Sequence, residues 1–157
     1  MMKKYWTSTS PEQTLTLGRK IGQGLAGEAG LIYLTGDLGA GKTKLTQGIV
    51  EGLGIEAEVT SPTFALIHEY GPEGEVIHAD LYRLESYEEL QEIGFEEYLD
   101  EDHLILCEWP DLLEEEGLEP ILRLDLRRVD GESEQARRIA LTADDGALGE
   151  RMAAIEI

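Results

Sequence analysis

The sequence predicts a single α/β domain whose chemistry lies at the carboxyl edge of its strands, and three stretches carry that prediction. Leu31-Ile32-Tyr33-Leu34 is an apolar run of strand length that enters a glycine-rich turn and then a helical pattern. Val76-Ile77-His78-Ala79 forms a second strand ending in Asp80, and Leu104-Ile105-Leu106-Cys107 a third ending in Glu108. A carboxylate directly after such a strand sits at the edge of a parallel sheet, where α/β ligands bind.

The first stretch continues as Gly36, Asp37, Leu38, Gly39, Ala40, Gly41, Lys42 and Thr43, which fit G-x-x-x-x-G-K-[ST] at every fixed position. The three glycines let the backbone curl so that successive N–H groups point at phosphate oxygens. Lys42 reaches the β- and γ-phosphates, and the Thr43 hydroxyl holds a Mg²⁺. Leu45, Ile49 and Leu53 fall at i, i+4 and i+8 of the helix that follows. Its positive amino end adds to the same site, and Gly54 closes it. Strand and helix flank the motif as the mechanism requires, so these eight residues, with Lys44 next to them, are expected to bind a nucleotide.

The 157 residues read as one domain, 1–157, with a substantial core. No apolar run approaches a membrane span, and the first residues do not form a signal-peptide core, so a cytoplasmic protein without membrane contact is expected. The single cysteine, Cys107, lies in an apolar run and reads as an inert buried thiol. A net charge of −20 repels phosphate backbones and argues against direct nucleic-acid binding. Between Lys44 and Arg123 the only Lys or Arg is Arg83. A cation so isolated is either buried in an ion pair or kept for a phosphate or a partner, and the second is expected.

Residues 5–9 make a short first strand. Ser10, Pro11 and Gln13 supply the N-cap, N1 and N3 of a helix with Leu17, Ile21 and Leu25 inside and Gly27 at its end. After the phosphate-loop helix, Thr60-Ser61-Pro62-Thr63 form a polar loop with reach toward a γ-phosphate or its Mg²⁺. Strands at 64–70 and 76–81 flank Gly71-Pro72-Glu73-Gly74, a hairpin turn. Ser86 caps an acidic helix broken at Gly94, and Phe95, Tyr98 and Leu99 continue in a second short one. An acidic helix or turn occupies 111–117. Leu122, Leu124 and Leu126 then alternate with Arg123, Asp125 and Arg127 in a half-exposed strand within 120–129. This strand turns at Asp130-Gly131-Glu132 into another at 137–143, after which Asp144 is placed to cap a last helix.

A phosphate-loop site also needs a carboxylate for the Mg²⁺ and a group that orients the attacking one. Asp80 and Glu108 are candidates for both tasks, with Lys42 as their catalytic companion. Sequence leaves open which acid holds metal and which positions water. Arg83 is near enough along the chain to pair with Asp80, and no cation is near Glu108. His78 reads as a core residue, and Trp109 as either core or a cover over bound phosphates. The chain has no asparagine and no Asp followed three residues later by Gly, so N-K-x-D and D-x-x-G are both absent. ATP is the expected nucleotide.

Residues 36–43, Ser61-Pro62-Thr63-Phe64, His78-Ala79-Asp80-Leu81-Tyr82-Arg83 and Glu108-Trp109-Pro110 together resemble the signature segments of the TsaE (YjeE) family, in its order and at about its spacing. The resemblance implies a P-loop NTPase fold with a mainly parallel central sheet, helices on both faces and an antiparallel extension. It implies Thr43 and Glu108 near Mg²⁺, with Asp80 and Trp109 important for ATP turnover. It implies an ATP hydrolase of low activity alone that partner proteins stimulate. The implied role is accessory, resetting the TsaB–TsaD complex during N6-threonylcarbamoyladenosine modification of tRNA, with tRNA reached only through that complex. From Leu112 onward nothing motif-like extends the resemblance, and the arginine-bearing final hairpin has no assigned role. A small-molecule kinase and a non-hydrolysing nucleotide-dependent binding module are the alternatives. One cation across the middle of a short chain offers little for the acceptor site and lid of a kinase.

Overall fold

The computed structural model describes residues 1–37, 39–60, 66–100, 102–131 and 133–157. The elements run β1 (Met2–Ser8), α1 (Pro11–Gly24), β2 (Gly30–Gly36), α2 (Lys42–Gly52), β3 (Ile67–Tyr70), β4 (Val76–Asp80), α3 (Tyr87–Glu92), α4 (Phe95–Leu99), β5 (Leu104–Glu108), α5 (Asp111–Glu115), β6 (Leu122–Arg128), β7 (Arg137–Ala143) and α6 (Ala147–Ala153). Among the described residues the strands form one seven-stranded sheet in the order β1-β7-β6-β2-β5-β4-β3. The four in the middle, β6, β2, β5 and β4, run parallel. Antiparallel strands flank them on both sides, β7 and β1 at one edge and β3 at the other.

Alternation along β2 explains the layering. Ile32 and Leu34 face a core shared with Leu17 and Ile21 of α1 and Leu45 and Ile49 of α2. Leu31 and Tyr33 face the opposite core, which holds Leu90 of α3, Phe95 of α4 and Leu113 of α5. Apolar residues on both sides of the same strand require cover on both sides, and helices supply it. Cys107 is fully buried in the second core, and burial pushes its thiol well above the ordinary range. Its burial is as expected.

Helices α1 and α2 meet through glycines. A Cβ on Gly18 would lie 2.5 Å from the Leu45 carbonyl oxygen, and one on Gly48 only 2.3 Å from that of Leu15. Gly22 and Gly52 repeat the pattern one turn further on, at 2.2 Å from the Ile49 and Arg19 carbonyl oxygens. The two backbones touch without a side-chain layer between them, as small residues four apart on facing helices allow. This seam sets where α2, and therefore the phosphate loop, sits on the sheet.

The caps follow the sequence. Ser10 Oγ accepts the Gln13 N–H at 3.2 Å, while the Gln13 side chain reaches back to the Thr9 N–H at 2.8 Å. Ser86 Oγ accepts the Glu89 N–H at 3.4 Å. Gly54, with φ +82°, ends α2 in a Schellman turn: its N–H bonds to the Glu51 carbonyl and that of Ile55 to the Val50 carbonyl.

Several boundaries differ from expectation: β3 begins at Ile67, with Leu66 outside it, and β4 ends at Asp80 rather than Leu81. β1 begins at Met2 because seven residues pair with β7, and α1 ends at Gly24, with Leu25 as C-cap and Gly27 in the following turn. Asp144 does not cap α6, whose N-cap is Gly146 without a side-chain hydrogen bond. The neighbouring Asp145 is instead drawn to the amino-terminal ammonium at 2.8 Å.

Candidate functional site

β2 delivers the chain to the phosphate loop at the carboxyl edge of the sheet, between β5 and β6. Gly36 has φ +137°, and a Cβ there would lie 2.3 Å from the Leu126 carbonyl oxygen, so both conformation and space demand glycine. Gly39 and Gly41 also take positive φ, and Gly41 is the N-cap of α2 with no side-chain bond to the first turn. The first N–H groups of α2 are thereby left for a ligand. Leu38 lies outside the described residues, as do Ser61, Pro62, Thr63 and Phe64.

Lys42 is 7% exposed. Its ammonium donates to the Gly36 carbonyl at 3.1 Å, lies 3.5 Å from Glu108 Oε1 and sits 4.9 Å from the centre of the Trp109 ring. Trp109 has φ +58°, the one non-glycine residue in that region among the described residues, at a cost of about 1–2 kcal/mol. That turn carries the indole over Lys42 and against Tyr82, with ring centres 4.9 Å apart. Trp109 therefore covers the site rather than filling the core.

The two strand-end acids are register partners across β4 and β5, Asp80 opposite Glu108. Their surroundings separate them. Glu108 is buried, which opposes its charge. A hydrogen bond from His78 at 2.7 Å and the Lys42 ammonium outweigh that and hold its carboxyl below the usual range. Asp80 is half-buried, and burial raises it above its ordinary value despite the Tyr82 N–H that Oδ1 accepts at 3.0 Å. Arg83 is not its partner. It is exposed, lines the cleft and has no ion-pair partner among the described residues.

Lys42, Thr43, Lys44, Asp80, Glu108 and Trp109 all border one cleft of about 520 Å³. Thr43 and Lys44, at the first turn of α2, are exposed to it. The hard oxygens of Thr43, Asp80 and Glu108 suit Mg²⁺. Among the described residues no three His, Cys, Asp or Glu side chains converge as a ready-made cage.

Four residues gain roles that the sequence did not suggest. His78 holds Glu108. Gln47 lines the cleft and clamps the segment leading out of α2, donating to the Ala57 carbonyl at 3.1 Å and accepting the Val59 N–H at 2.9 Å. The final hairpin returns to the phosphate loop. Arg137 donates to the Ala40 carbonyl at 3.1 Å and to that of Gly39 at 3.3 Å, and Arg128 to that of Gly39 at 3.5 Å. Because the C=O and N–H of one peptide point in opposite directions, holding the Ala40 carbonyl toward Arg137 aims the Gly41 N–H away from it. No spacing rule links residues 97 apart, so this contact had no sequence signal. Arg137→Met is expected to weaken ADP binding about tenfold, one charge-assisted hydrogen-bonding group having been lost from the loop's support. Calorimetric titration measures it, and an unchanged affinity would show the loop to be held without the hairpin.

The chain is similar in sequence and fold to proteins of one family. The family described as Threonylcarbamoyl adenosine biosynthesis protein TsaE matches residues 8–139. The tRNA threonylcarbamoyladenosine biosynthesis protein TsaE of Bacillus subtilis is 38% identical over 145 residues, covering 91% of this chain and 87% of the relative. That of Streptomyces coelicolor is 37% identical over 147 residues, covering 90% and 95%. That of Haemophilus influenzae is 49% identical over 80 residues, about half of each chain. The crystal structure of Bacillus subtilis YdiB superposes with a TM-score of 0.69 at 31% identity, covering 97% of this chain and 93% of that one. The chain belongs to the TsaE family, which takes part in the biosynthesis of threonylcarbamoyladenosine in tRNA.

Proposed function

We propose that this chain is a Mg²⁺-dependent ATPase that resets a TsaB–TsaD complex during threonylcarbamoyladenosine modification of tRNA. One observation carries the reading: two strand-end acids with opposite shifts stand in register beside the Lys42 and Thr43 of a phosphate loop. Loop N–H groups and the amino end of α2 would bind the β- and γ-phosphates, and Lys42 would neutralise them. Thr43 and Glu108 would hold Mg²⁺, which would supply charge neutralisation. Glu108, kept ionised, suits that task. Asp80 has Oδ1 held by the Tyr82 N–H and a raised proton affinity, which suit Oδ2 to orient the attacking water and accept its proton. Trp109 and Tyr82 would close the cleft over the reacting phosphate. The charge of −20 leaves contact with tRNA to the partner complex, and a cytoplasmic setting follows from that role.

The test is ATP hydrolysis with Mg²⁺, by the chain alone and with TsaB–TsaD, with Lys42→Ala as the blank. Slow turnover alone and stimulation that vanishes in the variant are expected. ATP binding without turnover under any of these conditions would replace the ATPase with a nucleotide-dependent binding module.

A further inference from the structure

His78 lies in the middle of β4 with no exposed surface. Its Nε2 is 2.7 Å from Glu108 Oε2, while the other carboxylate oxygen, Oε1, lies 3.5 Å from the Lys42 ammonium at the mouth of the phosphate loop. A carboxylate only accepts, so the short contact requires the proton to be on Nε2. Nδ1 is buried and has no hydrogen-bond partner among the described residues. Nε2 therefore faces one target, Glu108.

We infer that His78 is a positioning residue: it pins Oε2 of Glu108 on the core side so that Oε1 is presented to the cleft. A glutamate side chain has three rotatable bonds, and the fixed imidazole on the adjacent strand removes much of that freedom. The inference rests on the reading of Glu108 as the Mg²⁺ carboxylate. Residues that orient a metal ligand through a hydrogen bond affect metal affinity by about 10–100-fold when removed. The consequence here is that His78 sets the affinity for the cation and not that for the nucleotide itself.

Mn²⁺ serves as the probe, titrated by electron paramagnetic resonance into the complex with ADP, beside ADP affinity measured in EDTA. His78→Met fills the space without a donor. His78→Gln places an amide N–H at about the reach of Nε2, and His78→Asn is too short. Met and Asn variants are expected to bind Mn²⁺ about tenfold or more weakly, with ADP affinity in EDTA unchanged and the Gln variant restored. A purely packing role would rank the three variants by stability and would not single out Gln. Mn²⁺ affinity in His78→Met equal to the parent's, or a matching loss of ADP affinity in EDTA, overturns the inference. Glu108→Gln separates the two readings. If it leaves Mn²⁺ affinity intact, the metal role of Glu108 falls. If it weakens Mn²⁺ while His78→Met does not, only the positioning role falls. Nitrogen-15 NMR of the unaltered protein needs no variant: a proton on Nδ1 instead of Nε2 would also overturn it.

Discussion

Lys42→Ala is expected to weaken ADP binding about 100-fold, a loss of roughly 3 kcal/mol. The ammonium is almost wholly buried and is held by a backbone carbonyl, a carboxylate and the face of an indole. Hydrogen bonds from a cation to phosphate are about twice as strong as those from neutral N–H groups. Arg128 and Arg137 do not replace it, since they donate to the carbonyls of the loop from the hairpin side. The fold should survive, because His78 still satisfies one oxygen of Glu108. Lys44 is exposed on the same turn and makes the control: Lys44→Ala should change affinity by only about threefold, in line with a solvent-screened charge. Calorimetric titration with ADP reads both. Equal effects of the two substitutions would mean that charge near the loop matters and the burial of Lys42 does not.

The largest effect on stability is expected from Gly48→Ala. On helix propensity alone this substitution should stabilise by about 1 kcal/mol. The structure reverses the sign. The new methyl would meet the Leu15 carbonyl oxygen at 2.3 Å and the Gly18 Cα at 2.8 Å, both backbone atoms that no rotamer change can move. Overpacking of this kind costs about 3 kcal/mol, on the order of 10 °C in Tm for a domain of this size. Denaturant and thermal unfolding give the value. An Ala variant as stable as the parent would show that α1 and α2 separate at little cost.

Local chemistry was legible in the sequence and distant pairing was not. The phosphate loop, the serine caps at Ser10 and Ser86, the glycine stops and the strand-end acids are all specified by residues within a few positions of each other. Register is not: nothing in the sequence says that Asp80 stands opposite Glu108 or that β2 lies between β5 and β6. The ion partner of Glu108 was missed because Lys42 is remote in sequence, and Arg83 suggested itself for Asp80 because it is near. In the structure a main-chain N–H does that work. The glycines at 18, 22, 48 and 52 carry no local signal, because their purpose appears only when two helices are laid together. Asp144 looked like a cap, yet its successor found a charge at the far end of the chain.

That glycine seam has a mechanical meaning. A joint made of side chains yields, since rotamers can readjust, whereas backbone against backbone has nothing to readjust and behaves as a strut. A displacement imposed at the first turn of α2 is thus passed whole to α1. From there it reaches the carboxyl-terminal segment, to which Lys20 donates through the Glu156 carbonyl and whose Arg151 grips the Gly24 carbonyl at 2.9 Å. On the opposite wall of the cleft Tyr82 and Trp109 meet as tilted rings rather than as packed backbones. Through the seam the phosphate loop is anchored to the body of the protein.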